Sequence, residues 1–193
     1  MEKSVYIIDL DKTLVRVNSF NRFTVWLART LIHRCKYADF LKVILYVAER
    51  KLRLCSHRCA KWKIMCVADR HLLPVDYLEF AVSLGRFVRG FYNSIPENSV
   101  RILATAAPEQ YASQIARHLD FSYCVATPMS GSKETYTETR GEKKLDAVRK
   151  IFERHRHLKL RQMYFYTDHI EDTPLAEFVR EKGGISIFVN PDE

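Results

Sequence analysis

The 193-residue chain is poor in glycine and proline, with six of each, and it has no long apolar run. The low glycine and proline content excludes a collagen-like or low-complexity chain, while 47% hydrophobic residues are enough to build a folded core. The longest apolar run, near residues 40–48, is interrupted by Lys42 and is far shorter than the roughly 20 residues that cross a bilayer. We therefore expect a globular chain of one domain, or of one domain with an insertion.

Cysteine is also scarce, since the chain has five, an odd number. The N-terminus enters the apolar segment Val5–Ile8 almost at once, too soon for the apolar region of a secretory signal. We therefore expect free thiols and a cytoplasmic location. Cys55, Cys59 and Cys66, with a histidine among them, raise the alternative of a zinc site. Helical residues two positions apart point to different sides, however, which favours ordinary thiols.

Acidic residues are few in one part of the chain, and the formal net charge of the whole is +8. Residues 17–95 contain 14 Lys and Arg but 5 Asp and Glu, whereas the rest of the chain contains 17 and 18. The basic excess is thus confined to one contiguous stretch, which indicates two parts with different tasks.

Five short apolar segments, each bounded by polar or turn residues, are predicted to be buried strands. They are Val5–Ile8, Arg101–Ala104, Tyr123–Ala126, Met163–Tyr166 and Ile185–Val189. Helical patterns follow at Pro108–His118, at Glu142–Arg154, and from Pro174 to the pair Gly183-Gly184. This alternation predicts the α/β class, with a Rossmann-like parallel sheet that helices cover on both faces.

The basic stretch has a different pattern, because its apolar residues recur at helical spacing. Phe20, Phe23, Leu27 and Leu31 show this period, and residues 41–48 are apolar nearly all round. We predict about four helices, inserted between the first and second strands. The expected domains are an α/β core of residues 1–16 and 96–193 and an all-helical cap of residues 17–95.

Two carboxylates stand two positions apart where the first predicted strand ends, in Asp9-Leu10-Asp11. Open α/β sheets place their sites at the carboxyl ends of strands. Like charges this close repel each other unless a cation lies between them. A pair of this kind is by itself more often a polar turn, so other residues must support a site.

Further polar groups follow the later strands or open the next helices. Thr105 and Ala106 end the second strand, where a hydroxyl and helix amides suit a phosphate oxygen, with a plain helix cap as the alternative. Lys143 and Lys144 lie near a helix start, where a lysine opposes the helix dipole unless an anion is close, with a solvated surface lysine as the alternative. Asp168 and Asp172 follow the fourth strand, and carboxylate oxygens are ligands that suit Mg²⁺.

These elements, in this order, resemble the four motifs of the haloacid dehalogenase superfamily of phosphatases, over nearly the whole chain. The segment Ile102–Ala112 is similar to the second motif of the phosphoserine-phosphatase-like branch, whose helical cap follows the first motif. The segment Val189-Asn190-Pro191-Asp192 looks like the usual ending of that branch.

The resemblance implies a Mg²⁺-dependent phosphomonoester hydrolase that works through an aspartyl-phosphate. Asp9 would be the nucleophile, and Asp11 the general acid and base. Mg²⁺ would be held by Asp9, the backbone carbonyl of Asp11, and Asp168.

The remaining motif residues would bind the phosphoryl group. The resemblance gives this task to Thr105, with Ala106, and to a lysine that neutralises charge on the transferring group. The family spacing selects Lys144 as that lysine, with Lys143 as the alternative. Asp172 would orient the lysine or support the metal site.

Three positions depart from the family pattern. Lys12 stands where many members have glycine, and Glu171 stands where this branch often has asparagine. Asn18 stands where phosphoserine phosphatases place a glutamate for the substrate amine, which argues against phosphoserine as the substrate.

The basic cap leaves the choice of partner open. It suits a solvated surface, a substrate with further anionic groups, or anionic lipid met by Phe20, Phe23, Trp26 and Trp62. The lipid alternative corresponds to members of this branch that act on phosphatidylglycerophosphate. Nucleic acid is not expected, since no recognition motif is present. An alternative of another class is a non-catalytic basic binding protein on a phosphatase scaffold, which the intact carboxylates argue against.

Overall fold

The computed structural model describes residues 3–129, 131–154 and 160–190. Its five strands form one parallel sheet in the order β3-β2-β1-β4-β5. Each predicted apolar run forms a strand, with ends that differ by a few residues. The bounds are β1 Lys3–Ile8, β2 Val100–Pro108, β3 Tyr123–Thr127, β4 Leu160–Thr167 and β5 Ile185–Phe188. Pro191 and Asp192, part of the family-like ending, lie outside the described residues.

Helices cover the sheet on both faces. Successive strand residues point to opposite sides, and those of β1 are apolar on both, so each face needs a cover. Val5 and Ile7 of β1 pack in one cluster with α6 (Glu142–Arg154) and α7 (Thr173–Glu181). Ile8 belongs to the cluster on the other face, which includes α5 (Glu109–His118). The predicted α/β class with a Rossmann-like parallel sheet is therefore confirmed.

Helices also fill the basic stretch between β1 and β2. They are α1 (Ser19–His33), α2 (Tyr37–Lys51), α3 (His57–His71) and α4 (Pro74–Leu84), followed by 3-10 turns at Gly85–Phe87 and Gly90–Ser94. Within the described residues, no helix has the length and apolar character needed to cross a bilayer. The division into two domains at residues 17 and 95 stays a prediction.

The inserted helices share a hydrophobic core with one face of the sheet. Phe23 of α1 is fully buried and stacks on Tyr111 of α5, with ring centroids 5.0 Å apart. It also meets Phe80 of α4 edge-on, at 5.2 Å. Phe20 is buried in the same cluster. Of the four aromatic residues in the lipid alternative, Phe20 and Phe23 are therefore wrong as contacts, because both rings are buried.

The chain leaves β1 at the centre of the sheet, where the strand order reverses between β1 and β4. The amide of Asp9 donates to the carbonyl of Tyr166 at 2.9 Å, so Asp9 continues the pairing of these strands by one residue. A reversal of strand order opens a crevice at the carboxyl edge of the sheet. The first candidate carboxylate is thus fixed at the mouth of that crevice.

The two glycines predicted to end the last helix do so in different ways. Gly183 adopts a φ of +75°, and its amide donates to the carbonyl of Arg180 at 2.9 Å. The amide of Gly184 donates to the carbonyl of Val179 at 2.8 Å. This arrangement closes α7 and turns the chain back into β5.

We expect Gly184→Ala to lower the free energy of unfolding by about 1–3 kcal/mol. An added Cβ would lie 2.7 Å from the carbonyl oxygen of Met163 and 2.7 Å from Cγ1 of Val179. Gly90→Ala is the matched control, since a Cβ there meets nothing within 4 Å. Urea unfolding of both variants measures the difference, and equal losses would contradict the packing described.

Candidate active site

A cavity of about 250 Å³ opens at the carboxyl edge of the sheet. It brings together all the residues that the motifs singled out, but not Lys143, which is exposed. The lining comprises Asp9, Asp11, Lys12, Asn18, Thr105, Ala106, Arg140, Lys144, Asp168, His169, Glu171 and Asp172.

The ammonium group of Lys144 occupies the inner wall of the cavity. Its Nζ donates to Oδ1 of Asp9 at 2.8 Å and to the carboxylate of Asp172 at 2.7 Å. Asp172 also accepts a hydrogen bond from the Thr167 hydroxyl at 2.7 Å. Burial alone would lower the pKa of Lys144, but the charges of Asp9 and Asp172 raise it above its ordinary value. Lys144 is therefore held as a cation. The carboxylates of Asp9 and Asp172 are the anions that offset the unfavourable position of a lysine near a helix start.

Local sequence explains how Lys144 reaches this position. Gly141, with a φ of +53°, turns the chain into α6, and the amide of Lys144 donates to its carbonyl at 3.0 Å. Lys144 is then on the inner side of the first helical turn, and Leu145 and Val148 bury the same helix against the sheet.

Asp11 and Asp168 are positioned by hydrogen bonds from groups outside their own turns. The amide of Ser19, at the start of α1, donates to Oδ1 of Asp11 at 2.6 Å. The hydroxyl of Thr13 donates to Oδ1 of Asp168 at 3.2 Å. Burial raises the pKa of Asp11, against the effect of the Ser19 hydrogen bonds. Both carboxylates are thus fixed toward the same cavity as Asp9.

Thr105 and Ala106 also line the cavity, near the end of β2. The pairing of β2 with β3 shifts register between Ala104 and Pro108, which frees this segment from a regular ladder. The hydroxyl oxygen of Thr105 accepts from the amide of Ala107 at 3.1 Å. The carbonyl of Ala106 accepts from the Thr127 hydroxyl at 2.8 Å.

The cavity carries more negative than positive formal charge, because five carboxylates line it and the cations are Lys12, Arg140 and Lys144. Burial raises the pKa of Asp9 to about 7 against the opposing effect of Lys144, and the charges of Asp172 and Asp11 add to the rise. A divalent cation would relieve the excess, and oxygen donors are the ligands that Mg²⁺ takes. The residues present therefore fit a magnesium ion.

The protein would supply few ligands to such an ion. Across the described parts of the chain, no three or more His, Cys, Asp or Glu side chains gather as a metal site. The set expected from the resemblance consists of two carboxylates and one backbone carbonyl. Magnesium commonly completes its shell with water and substrate phosphate oxygens, so a set of this size is consistent with it.

The three departures from the family pattern have local explanations. Lys12 has a φ of +58°, the left-handed region that glycine adopts most readily. The extra carboxylate of Glu171 pairs with Arg140, at 3.1 Å. Asn18 caps α1, and its side-chain oxygen accepts from the amide of Asn21 at 2.9 Å.

Sequence reasoning missed a partly buried ion pair beside the cavity. Lys61 of α3 pairs with Glu138 in the loop between β3 and α6, and its Nζ also donates to the carbonyl of Ala106 at 3.0 Å. Nδ1 of His57 lies 3.8 Å from Oε1 of the same glutamate. Burial would raise the pKa of Glu138, but hydrogen bonds from His57 and Lys61 and nearby positive charges lower it to about 2. This pair joins the inserted helices to the segment that bears Thr105.

A sequence model of haloacid dehalogenase-like hydrolases matches residues 7–177, which include all the motif residues. The chain belongs to this family. The resemblance drawn from its motifs is therefore confirmed, and the protein is a hydrolase of the haloacid dehalogenase class. No curated protein matches the chain in sequence.

Solved structures show how widely this hydrolase fold is shared. A protein of unknown function from Bordetella pertussis Tohama I superposes with a TM-score of 0.66 at 18% identity, covering 97% of this chain and 99% of the other. A phosphoserine phosphatase solved as a phospho-aspartyl intermediate analogue gives 0.54 at 14%, covering 98% and 95%. Cytosolic 5'-nucleotidase IIIB bound to cytidine gives 0.53 at 13%, covering 96% and 72%. Identities this low show a shared fold alone.

We expect Lys144→Met to lower the free energy of unfolding by about 3–5 kcal/mol, because two carboxylates would be left buried without their cation. Lys143→Met is the matched control on the adjacent, exposed residue and should change stability by less than about 0.5 kcal/mol. Urea unfolding of the three proteins tests this, and similar losses in both variants would contradict the assigned positions.

The ion pair of Glu138 gives stability a dependence on pH. Because its pKa in the folded protein is about 2, against an ordinary value of 4.5, its contribution is complete above pH 4.5 and is lost as the pH falls toward 2. Glu138→Gln should lower the free energy of unfolding at pH 7 by about 1–3 kcal/mol, because the buried ammonium group of Lys61, whose pKa burial already lowers, loses its carboxylate partner. The difference from the unaltered protein should shrink below pH 4.5.

Thermal or urea unfolding across the pH range measures this difference. Glu134→Gln, on an exposed residue of the same loop, is the control and should leave stability nearly unchanged. A loss in Glu138→Gln that stays constant down to pH 2 would rule out the ion pair as its cause.

Proposed function

We propose that this hydrolase is a Mg²⁺-dependent phosphomonoesterase that acts through an aspartyl-phosphate on Asp9. The observation that carries the proposal is the ammonium group of Lys144 between Asp9 and Asp172, in a cavity that Asp11, Thr105 and Asp168 also line. Anionic groups and a positioned cation at one sheet edge suit the transfer of a phosphoryl group.

In the first step, an oxygen of Asp9 attacks phosphorus and the ester P–O bond breaks. The carboxyl group of Asp11 donates its proton to the leaving alcohol oxygen. Lys144, the Thr105 hydroxyl and the backbone amide of Ala106 hold the phosphoryl oxygens. The Ser19 amide, 2.6 Å from Oδ1 of Asp11, keeps that carboxyl group oriented.

In the second step, water attacks phosphorus and Asp9 is released as a carboxylate. Asp11, now ionised, takes the proton of the water molecule, so the site returns to its initial state. Asp172 acts on Lys144 and not on the substrate, by holding the ammonium group at 2.7 Å.

Asp9, the backbone carbonyl of Asp11, and Asp168 would hold the magnesium ion. When bound, the ion supplies positive charge that offsets the repulsion between a carboxylate nucleophile and an anionic phosphate.

The alternative of a non-catalytic binding protein does not explain why these charges are buried. Desolvating Lys144 with two carboxylates costs free energy, and apolar residues of similar volume often stabilise a fold as well or better. Catalysis explains why such a costly arrangement is present. A cytoplasmic location and a small phosphomonoester substrate remain our expectations, with a lipid-linked phosphate as the alternative. Phosphoserine itself is not expected, because Asn18 stands where phosphoserine phosphatases place a glutamate for the substrate amine, and its side-chain oxygen caps α1.

We expect Asp9→Asn to reduce hydrolysis of an aryl phosphate by at least about a thousandfold, because the amide is a poor nucleophile. The unaltered enzyme should require Mg²⁺, and Lys143→Met should retain its rate. Initial rates with and without the metal measure both effects. Equal rates for Asp9→Asn and the unaltered enzyme, or hydrolysis independent of added metal and unaffected by chelator, would contradict the proposal.

A further inference from the structure

Helix α2 presents an apolar face to solvent. Val43 is its one fully buried residue, while Leu41, Ile44 and Leu45 have 63%, 48% and 55% of their surface exposed. After the helix, Leu52 and Leu54 are exposed at 69% and 74%. We call these five residues, with Tyr37, the α2 surface.

The helical members of the α2 surface share one face of the helix, because they recur at intervals of three and four residues, and Leu52 and Leu54 follow directly after the helix end. A helix face that meets only water carries mostly polar residues. Contiguous exposed apolar patches of this kind mark contact with a membrane or another macromolecule.

The charges around this surface are positive. Arg50, Lys51 and Arg53 are exposed, and no carboxylate of the described residues lies within 4.0 Å of their charged groups. The acidic residues of α2 are occupied elsewhere. Asp39 contacts Lys42 at 2.8 Å and His71 at 2.9 Å, and Glu49 contacts Lys63 at 2.7 Å. An anionic partner would therefore meet uncompensated cations beside the aliphatic side chains.

Two depressions beside α2 combine the same features. An apolar groove of about 400 Å³ runs between α1, α2 and α3, with Val25, Val43 and Ile64 among its walls. A shallower hollow lies at the turn from α2 to α3. Arg50 and Lys51 line both depressions, so apolar and cationic surfaces meet at one edge.

We propose that the α2 surface binds the face of an anionic phospholipid bilayer. The aliphatic side chains enter the boundary between headgroups and acyl chains, and Arg50, Lys51 and Arg53 bind lipid phosphates. The positive charges of these three residues favour an anionic bilayer over a neutral one. With 15 residues, α2 is too short to span a bilayer and lies in the interface. The contact does not use the active-site residues, so the proposal stands apart from the proposed catalysis.

Co-sedimentation with vesicles tests this proposal. The probes are vesicles of phosphatidylcholine alone and vesicles with about one third phosphatidylglycerol, at low and high salt. The protein should bind the anionic vesicles, and binding should weaken as salt screens the charges. Absence of binding at low salt, or equal binding to both kinds of vesicle, would overturn the proposal.

Two variants separate the parts of the surface. The triple variant Arg50→Gln, Lys51→Gln, Arg53→Gln should weaken partitioning by on the order of a hundredfold at low salt. The double variant Leu41→Ser, Leu45→Ser should weaken it by at least about tenfold. All five residues are exposed, so the variants should keep the unfolding midpoint of the unaltered protein.

Matched controls remove equal charge, or two exposed aliphatic side chains, elsewhere on the protein. The charge control is Lys150→Gln, Arg161→Gln, Arg180→Gln, and the apolar control is Val75→Ser, Val82→Ser on α4. Losses in the controls as large as in the α2 variants would overturn the proposal. Light scattering without vesicles tests a second copy of this chain as the occupant. A dimer that Leu41→Ser, Leu45→Ser converts to a monomer would also overturn the proposal.

Discussion

The ammonium group of Lys144, buried between Asp9 and Asp172, is the contact on which the active site depends. It joins the end of β1, the first turn of α6 and the residue before α7 at one point. Each of the three charges would be costly to bury alone, and together they are tolerable. The remaining groups lie close by because their strands are neighbours in the sheet. Asp11 follows β1, Asp168 follows β4, and Thr105 lies near the end of β2.

The inserted helices are held to this site by apolar and ionic contacts. Phe23 stacks on Tyr111, so α1 and α4 share a core with α5. Lys61 adds a partly buried ion pair with Glu138 and a hydrogen bond to the carbonyl of Ala106, next to Thr105. The start of α1 also supplies the amide that orients Asp11. The inserted helices thus help to position residues of the candidate site, and they also carry the exposed face of α2.

The sheet and the motif residues could be predicted from sequence because both are local patterns. Short apolar runs predicted the strands; Asp9 and Thr105 follow such a run directly, and Asp168 follows one with a single residue between. The pair of Lys61 with Glu138 could not be predicted, because its partners are 77 positions apart and meet only through the packing of α3. The exposed face of residues 41–48 could not be predicted either, because this segment is apolar nearly all round and its sequence does not indicate which side faces water. Burial of Phe20 and Phe23 likewise depends on where α5 lies.

The claim that Asp9 forms a covalent phosphoryl intermediate is tested most directly by trapping it. In Asp11→Asn, an aryl phosphate can still transfer its phosphoryl group because the leaving group needs little protonation, while attack by water lacks its base. Acid quenching, proteolysis and mass spectrometry should then find the phosphoryl group on Asp9, in amounts stoichiometric with the released phenol. A phosphoryl group on another side chain, such as the neighbouring His169, or release of phenol with no phosphorylated protein, would contradict the account.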